Sequence, residues 1–232
     1  MKDFSSHRQT DAYSGYAALH GPGGAIEVGC WAHARRGFFD AKDLAPSFCL
    51  DVLKEIAKLY AVESEATARD LSHEERKASR AERSRPQRER VCGLLESNRR
   101  IHLPKSAVRI SIEYLRTRRE AFSRYLDDGL IEIDNNACER CMRSPAIGRT
   151  NWLFAGSADG GKAVAAWLSV IQSARLHEVE PWAYVKDLLT KLAAYRDMTP
   201  QRKMAAGEAY LRELLPEAWL KANPAARLPL AR

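Results

Sequence analysis

Two carboxylates sit where metal-assisted chemistry on a phosphodiester would need them. Asp11 closes a short extended run, and Glu139 lies on a short helix among arginines. A carboxylate at a strand end and another on a distant helix can meet in the fold. Together they can hold divalent ions that polarise a phosphoryl group and activate a water or a sugar hydroxyl. Each residue also has a plainer reading: Asp11 as the cap of the next turn, and Glu139 as the partner of Arg143 one helical turn on.

Three further groupings bear on the same chemistry. In Gly29-Cys30-Trp31-Ala32-His33-Ala34-Arg35-Arg36, the spacing puts His33 and Arg36 on one helical face, suited to a phosphate backbone. A histidine near a helix start can equally be a structural hydrogen-bonding group. Gly156 to Ala163 matches the G-x-x-x-x-G-K pattern of a phosphate-cradling loop. Its last position is alanine, where such loops carry the hydroxyl that holds magnesium, so a Gly-rich turn ahead of an apolar helix is the competing reading. Arg69 to Arg100 mixes both charge signs with an excess of arginine, read either as a solvated helical face or as an arm that contacts phosphates. Trp152 could stack on an unpaired base or belong to a core.

The elements that must position these residues can be read from periodicity and punctuation. Arg8 to Asp11 is extended, Gly21 to Gly24 turns, Ala25 to Trp31 is a buried strand, and a helix follows from Ala32 with Phe38 and Phe39 inward. From 48 to 128 the pattern is helical throughout. Val52, Ile56, Leu59 and Ala66 share one face, a capping box at Ser72 to Glu75 opens a second helix that breaks at Pro86, and a third covers Gln87 to Asn98. A fourth starts near Ser106, with Val108, Ile112, Leu115, Phe122 and Leu126 on one side. Leu130 to Ile133 then reads as a strand, Asp134, Asn135 or Asn136 caps a helix that Pro145 ends, and Asn151 to Ala155 is extended. Lys162 to Leu176 is an apolar helix. Glu180-Pro181 opens another, with Trp182, Val185, Leu188, Leu189 and Leu192 on its buried side. The expected organisation is a β/α segment over 1–47, a helical insertion over 48–128, a segment carrying Glu139 over 129–196, and a helical, partly frayed tail over 197–232.

The 232 residues carry a formal charge of +7, which favours an anionic partner, nucleic acid first. No stretch approaches the roughly 20 apolar residues that span a bilayer, and the N-terminus lacks a signal peptide's apolar core, so a cytoplasmic protein without membrane contact is expected. Five cysteines at scattered positions fit a reducing compartment, and the lone Cys138-x-x-Cys141 pair reads as ordinary thiols.

Four motifs in order carry a resemblance. Thr10 to Tyr16, GCWAHARRGFF, IDNNACERCMR and IGRTNWLFAGSADGG, followed by the helix that opens at Glu180, resemble the transposases of the insertion sequence 66 family. The resemblance implies a mixed α/β, mostly helical chain: part of a ribonuclease H-like fold with an all-helical insertion, its first strands missing. It implies a DDE triad with Mg2+ or Mn2+, in which the second Asp falls on Asp11 and the Glu on Glu139, both metal ligands. It also implies a DNA partner, at element ends and target, for which His33, Arg35, Arg36, Arg140, Arg143, Arg149 and Lys162 are the candidate contacts. Only ten residues precede Asp11, leaving no place for the family's first catalytic Asp. The expectation is therefore a truncated transposase, inactive alone. The alternatives are a DNA-binding or oligomerisation module that modulates an intact transposase, and a P-loop nucleotide-binding protein.

Overall fold

The parallel pairing of two short strands sets the geometry of the N-terminal half. The computed structural model describes residues 6–20, 24–152 and 155–228, which divide into two compact units, Met1–Glu139 and Arg140–Arg232. In the first unit β1 (His7–Thr10) pairs with β2 (Ile26–Gly29), Thr10 standing opposite Gly29. A 3-10 turn over Ser14–Leu19 lies in the connection. The expected turn at Gly21 to Gly24 falls largely outside the described residues. These two strands make the one sheet among the described residues, and the rest is mostly helical.

β2 leads directly into α1 (Trp31–Asp40), whose buried stripe is Trp31, Ala34 and Phe38. Phe39 does not turn inward as expected. Consecutive helical residues lie about 100° apart, so one core cannot take both rings. Phe39 is 46 % exposed and carries the Lys42 ammonium 3.6 Å above its ring. The helices α2 (Pro46–Ala68), α4 (Arg85–Asn98) and α5 (Ala107–Thr117) close over this stripe, while the short α3 (His73–Ser79) buries no residue of its own. Val52, Ile56, Leu59, Val91, Leu95, Val108, Ile112 and Leu115 share one core with Trp31 and Phe38. Trp31 meets Phe122 edge to face at 5.2 Å, and its indole N–H donates to the Phe122 carbonyl at 3.2 Å.

The capping box at Ser72 and Glu75 forms as expected. Pro86 does not break the chain's helical course. A π turn over Arg80–Ser84 joins α3 to α4 and leaves Pro86 in the first turn, where a missing N–H is tolerated. Ser106 caps α5 by accepting from the Arg109 N–H at 3.2 Å. On α5, Glu113 accepts from the Nε atoms of Arg99, Arg109 and Arg116 at 2.8, 2.8 and 2.7 Å. The hydrogen bond from Arg99, then that from Arg116, draws its carboxyl down from 4.5 to about 2. A folded-state value below the unfolded one adds stability above the unfolded value and loses it as pH falls. Acid titration of the parent should therefore show a stability loss between about pH 4.5 and 2 that a Glu113→Gln variant lacks, read as the difference between their urea midpoints at pH 6 and pH 3.

Leu130 to Ile133, expected as a strand, is a sequence of turns and bends. Its carbonyls are taken by groups other than a neighbouring strand. Ile131 accepts from the Arg80 guanidinium at 2.9 Å, Glu132 from the Gln9 amide at 2.9 Å, and Ile133 from the Trp31 N–H at 3.2 Å. With these acceptors satisfied, no ladder is needed.

α6 (Asn136–Trp152) begins in the first unit and ends in the second. It passes through Pro145 instead of stopping there, and Asn151 and Trp152, expected to be extended, are its last residues. A proline within a helix leaves the carbonyl four residues earlier without its N–H partner. That carbonyl belongs to Cys141, and the Gln172 side-chain amide of α7 (Ala158–Leu176) donates to it at 3.5 Å. The second unit continues with α8 (Pro181–Arg196), α9 (Pro200–Glu213) and α10 (Pro216–Ala222). Glu180 caps α8 by accepting from the Trp182 and Ala183 N–H groups at 3.1 and 2.6 Å. The core here is Ala174, Val179, Tyr184, Leu188, Leu214, Trp219 and Leu220. Trp182 and Leu189, expected on the buried side of α8, are 76 % and 50 % exposed, and Leu192 is also exposed. The stripe is centred on Tyr184 and Leu188, whose packing against Trp219 fixes the helix's rotation. No helix among the described residues is long and apolar enough to cross a membrane.

Candidate functional site

Parallel strands send their C-terminal ends the same way, and ligands of α/β proteins bind beyond those ends. Asp11 follows β1, while Cys30 and the first turn of α1, with His33, follow β2. Asp11 is exposed, and its Oδ1 accepts from the Tyr13 N–H at 3.0 Å, an Asx turn. Its carbonyl accepts from the Tyr114 hydroxyl of α5 at 3.1 Å. Ala12 takes a left-handed conformation, φ 62°, to make this turn. For a residue with a Cβ that costs about 1–2 kcal/mol, which the contacts on either side must offset.

The start of α6 is held against the start of α1. The Cys30 thiol donates to Asn135 Oδ1 at 3.0 Å and lies 3.5 Å from the Asn135 N–H. Asn135 is the N-cap residue of α6, its carbonyl accepting from the Glu139 N–H at 3.0 Å, and the side chain before it, Asp134, holds the first helical residue. Asp134 Oδ1 accepts from the Asn136 N–H at 3.0 Å, and its Oδ2 accepts from the Asn136 amide and the Tyr60 hydroxyl at 2.8 and 2.9 Å. Burial, then the Asp134 charge, pushes the Tyr60 hydroxyl up. Burial also pushes the Cys30 thiol up. Both groups therefore stay protonated and keep donating.

Beyond this clamp, on the first turn of each helix, His33 Nε2 meets Glu139 Oε1 at 3.3 Å. Glu139 thus pairs with His33 and not with Arg143. The pair is partly open to solvent, the side chains being 22 % and 41 % exposed, while His33 Nδ1 is buried with no hydrogen-bond partner among the described residues. Two helix N-termini converge here, and each carries a partial positive charge that favours an anion. Arg35 and Arg36 are exposed and make no hydrogen bond or ion pair among the described residues. With Tyr60, Phe39 and Asn136 they line an open groove between α1, α2 and the start of α6.

The residues in hand do not complete a site for a divalent ion. Asp11 engages one oxygen in its turn, Glu139 engages one with His33, and no group of three or more His, Cys, Asp or Glu that could hold a metal occurs among the described residues. Cys138 and Cys141 are free thiols on α6.

The other expected contacts belong to the second unit. Arg140 and Arg143 are exposed on α6; Arg149 is on the same helix, its side chain outside the described residues. Lys162 lies within α7 and pairs with Asp159 at 2.9 Å. The Gly160 N–H, which a phosphate-cradling loop would turn to its ligand, goes to the Ser157 hydroxyl at 3.0 Å. Helix rather than strand precedes this turn at Asn151 and Trp152.

Tyr60, Tyr114 and Gln9 hold the site together, and no local pattern marks them. Their partners lie 74, 103 and 123 positions away. The Asp-Asn-Asn run was the one available signal. It shows three potential caps without saying that Asn135 stands at the N-cap and clamps Cys30 while the Asp134 side chain takes the Asn136 N–H.

A family model described as "Transposase IS66 family" matches residues 1–163. Three similar proteins come from Sinorhizobium fredii (strain NBRC 101917 / NGR234), each described as uncharacterized. Protein y4hP is 33% identical over 94% of this chain and 40% of its own length. Protein y4qI is 35% identical over 83% and 37%, and y4jD 33% over 84% and 39%. The chain thus spans about two fifths of the length of these relatives. No solved structure matches it.

Proposed function

Because the chain belongs to the IS66 transposase family, we propose that it is a DNA-binding part of a transposase in which Asp11 and Glu139 are the catalytic, metal-binding carboxylates. The observation that supports this is the shared strand-end edge. Asp11 follows one parallel strand, the His33–Glu139 pair follows the other at two helix N-termini, and unpaired Arg35 and Arg36 flank it. In this reading His33 orients Glu139 and contacts the backbone. Arg35 and Arg36 bind phosphates, and Arg140, Arg143, Arg149 and Lys162 supply further DNA contacts. Mg2+ or Mn2+ is the ion of the family resemblance. Asp11 and Glu139 are two of the three carboxylates that the resemblance implies, so the third would come from outside the described residues, and strand cleavage is not assigned to these two alone.

The incomplete donor set favours a second reading, in which the 232 residues serve as a DNA-binding or assembly module beside an intact transposase. Both readings predict duplex DNA binding that weakens steeply with salt, its logarithmic slope about 0.9 per phosphate contacted. Arg35→Ala with Arg36→Ala should make that slope shallower. With Mg2+ or Mn2+ and an end-labelled element terminus, the chain alone should leave the DNA uncut. Binding that ignores both the salt and the double variant would sink the DNA reading, and cleavage by the chain alone would sink the claim of an incomplete site.

A further inference from the structure

The turn between α4 and α5 displays what a folded protein normally hides. Ile101 and Leu103 are 71 % and 77 % exposed, and Ile110, on the first turns of α5, is 60 % exposed. Local bonds hold the turn in this form. The Ile101 N–H donates to the Asn98 carbonyl at 3.1 Å, and the Ser106 N–H and hydroxyl donate to the Leu103 carbonyl at 3.0 and 2.8 Å. An Arg109 terminal nitrogen donates to the Arg99 carbonyl. His102, between the two apolar residues, packs its ring against Phe48, the centroids 5.4 Å apart and the planes tilted by 34°, which anchors the turn. The display is therefore built in and costs little further ordering when a partner arrives.

Cations surround it. From Arg99 to Arg116 the chain carries five cations and one carboxylate. That carboxylate, Glu113, is already shared by the Nε atoms of Arg99, Arg109 and Arg116. Three guanidiniums on one carboxylate leave a net charge of +2 within the cluster, and an added anion would relieve their repulsion. Arg100 and Lys105 are exposed and make no hydrogen bond or ion pair among the described residues. Apolar side chains inside a ring of arginine and lysine match the two needs of a protein that distorts duplex DNA. The cations hold phosphates, and the apolar tips enter the minor groove and open a base step. The rim is mostly cationic, with Glu96 and Glu113 as its carboxylates, and that excess of one sign favours a polyanion over a protein surface of mixed charge.

We propose that the α4–α5 turn is a second DNA-contacting surface, with Ile101 and Leu103 as wedges and Arg100, Lys105 and the arginines around Glu113 as phosphate contacts. This rests on the DNA-binding reading above and places a contact apart from the Asp11–Glu139 edge. The test uses the full chain and a duplex labelled with 2-aminopurine and an end-to-end fluorophore pair. Ile101→Ala with Leu103→Ala should abolish the unstacking and bending signals and weaken binding roughly tenfold or more, with the salt slope kept. Arg100→Ala with Lys105→Ala should make that slope shallower by about 0.9 for each phosphate no longer held. All these side chains are exposed, and unchanged circular dichroism would establish that both variants fold. If both variants bind and distort DNA like the parent while Arg35→Ala with Arg36→Ala does not, the turn is not a DNA surface and the first reading stands. A parent that fails to bind duplex DNA overturns both. A change in sedimentation mass with DNA behaviour intact makes the turn a protein contact and overturns this inference alone.

Discussion

Arg80→Ala should destabilise the first unit by about 3–5 kcal/mol, a large share of the stability of any single domain. Arg80 is wholly buried. Its Nε and one terminal nitrogen both reach Glu63 at 2.7 Å. The other terminal nitrogen donates to the carbonyls of Tyr125, Asp128 and Ile131 at 2.7, 2.9 and 2.9 Å. The guanidinium carbon also stands 5.1 Å from the centre of the Tyr125 ring. Removing the side chain would strand the Glu63 carboxylate, with only Arg76 at 3.7 Å to answer it, and would leave the Tyr125 and Ile131 carbonyls without this donor, while Asp128 keeps the Ile131 N–H at 3.2 Å. A lysine cannot repair this, because its ammonium is a point charge and lacks the planar fork. Urea unfolding followed by circular dichroism measures the loss. Arg83→Ala, which breaks the exposed pair with Glu65, is the control and should cost less than about 1 kcal/mol. Equal effects from the two variants would refute the role given to Arg80.

Gly129→Ala should cost about 1–3 kcal/mol or more, the residue being buried although it lies in a loop. A Cβ there would stand 1.9 Å from the His73 carbonyl oxygen and 2.6 Å from its carbon. These are backbone atoms at the first residue of α3, and the Ser72–Glu75 capping box holds that end in place. The loop from Asp127 to Ile133 would have to move instead, and with it the Ile133 carbonyl on Trp31 and the Asp134 side chain on the first N–H of α6. The variant should therefore lose stability and also weaken the DNA binding that depends on Arg35 and Arg36. Gly93→Ala supplies the opposite sign. It lies in α4 with nothing within 4 Å of its added Cβ, so alanine should stabilise by about 0.5–1 kcal/mol. The same urea series compares both, and a Gly129→Ala midpoint equal to the parent's would rule out the close approach.

Both residues show where reading by type stops. Gly129 reads as a helix stop after Asp127-Asp128, which is a statement about backbone freedom. Its role is to let another helix's carbonyl approach, which depends on a residue 56 positions away by number. Arg80 sits in a charge series that reads as a solvated face or a phosphate-binding arm. Arg76, Arg80, Arg83, Arg85 and Arg88 instead reach carboxylates or carbonyls on other segments or, for Arg88, a neighbouring residue. Nothing in the series itself separates the buried arginine from the exposed ones.

The sequence by itself determined the helical character of most of 48–117, the capping box at Ser72, the β2-to-α1 turn, and the strand-end position of Asp11. These follow from spacing and capping within a few residues, where side chain and backbone are bound to be neighbours. It did not determine that the helical course passes Pro86 or that α5 stops at Thr117, short of Phe122 and Leu126. Its four ordered motifs also determined the family. The tertiary structure alone decided which face of α8 is buried, that Leu130 to Ile133 finds its partners in Arg80, Gln9 and Trp31 rather than in a strand, and that α6 survives Pro145. It also decided that Glu139 pairs with His33 and not with its helix neighbour Arg143. The physical reason is common to all of these. A hydrogen bond or ion pair goes to whichever group the packing of distant segments brings within about 3 Å, and local chemistry offers several equivalent candidates without ranking them.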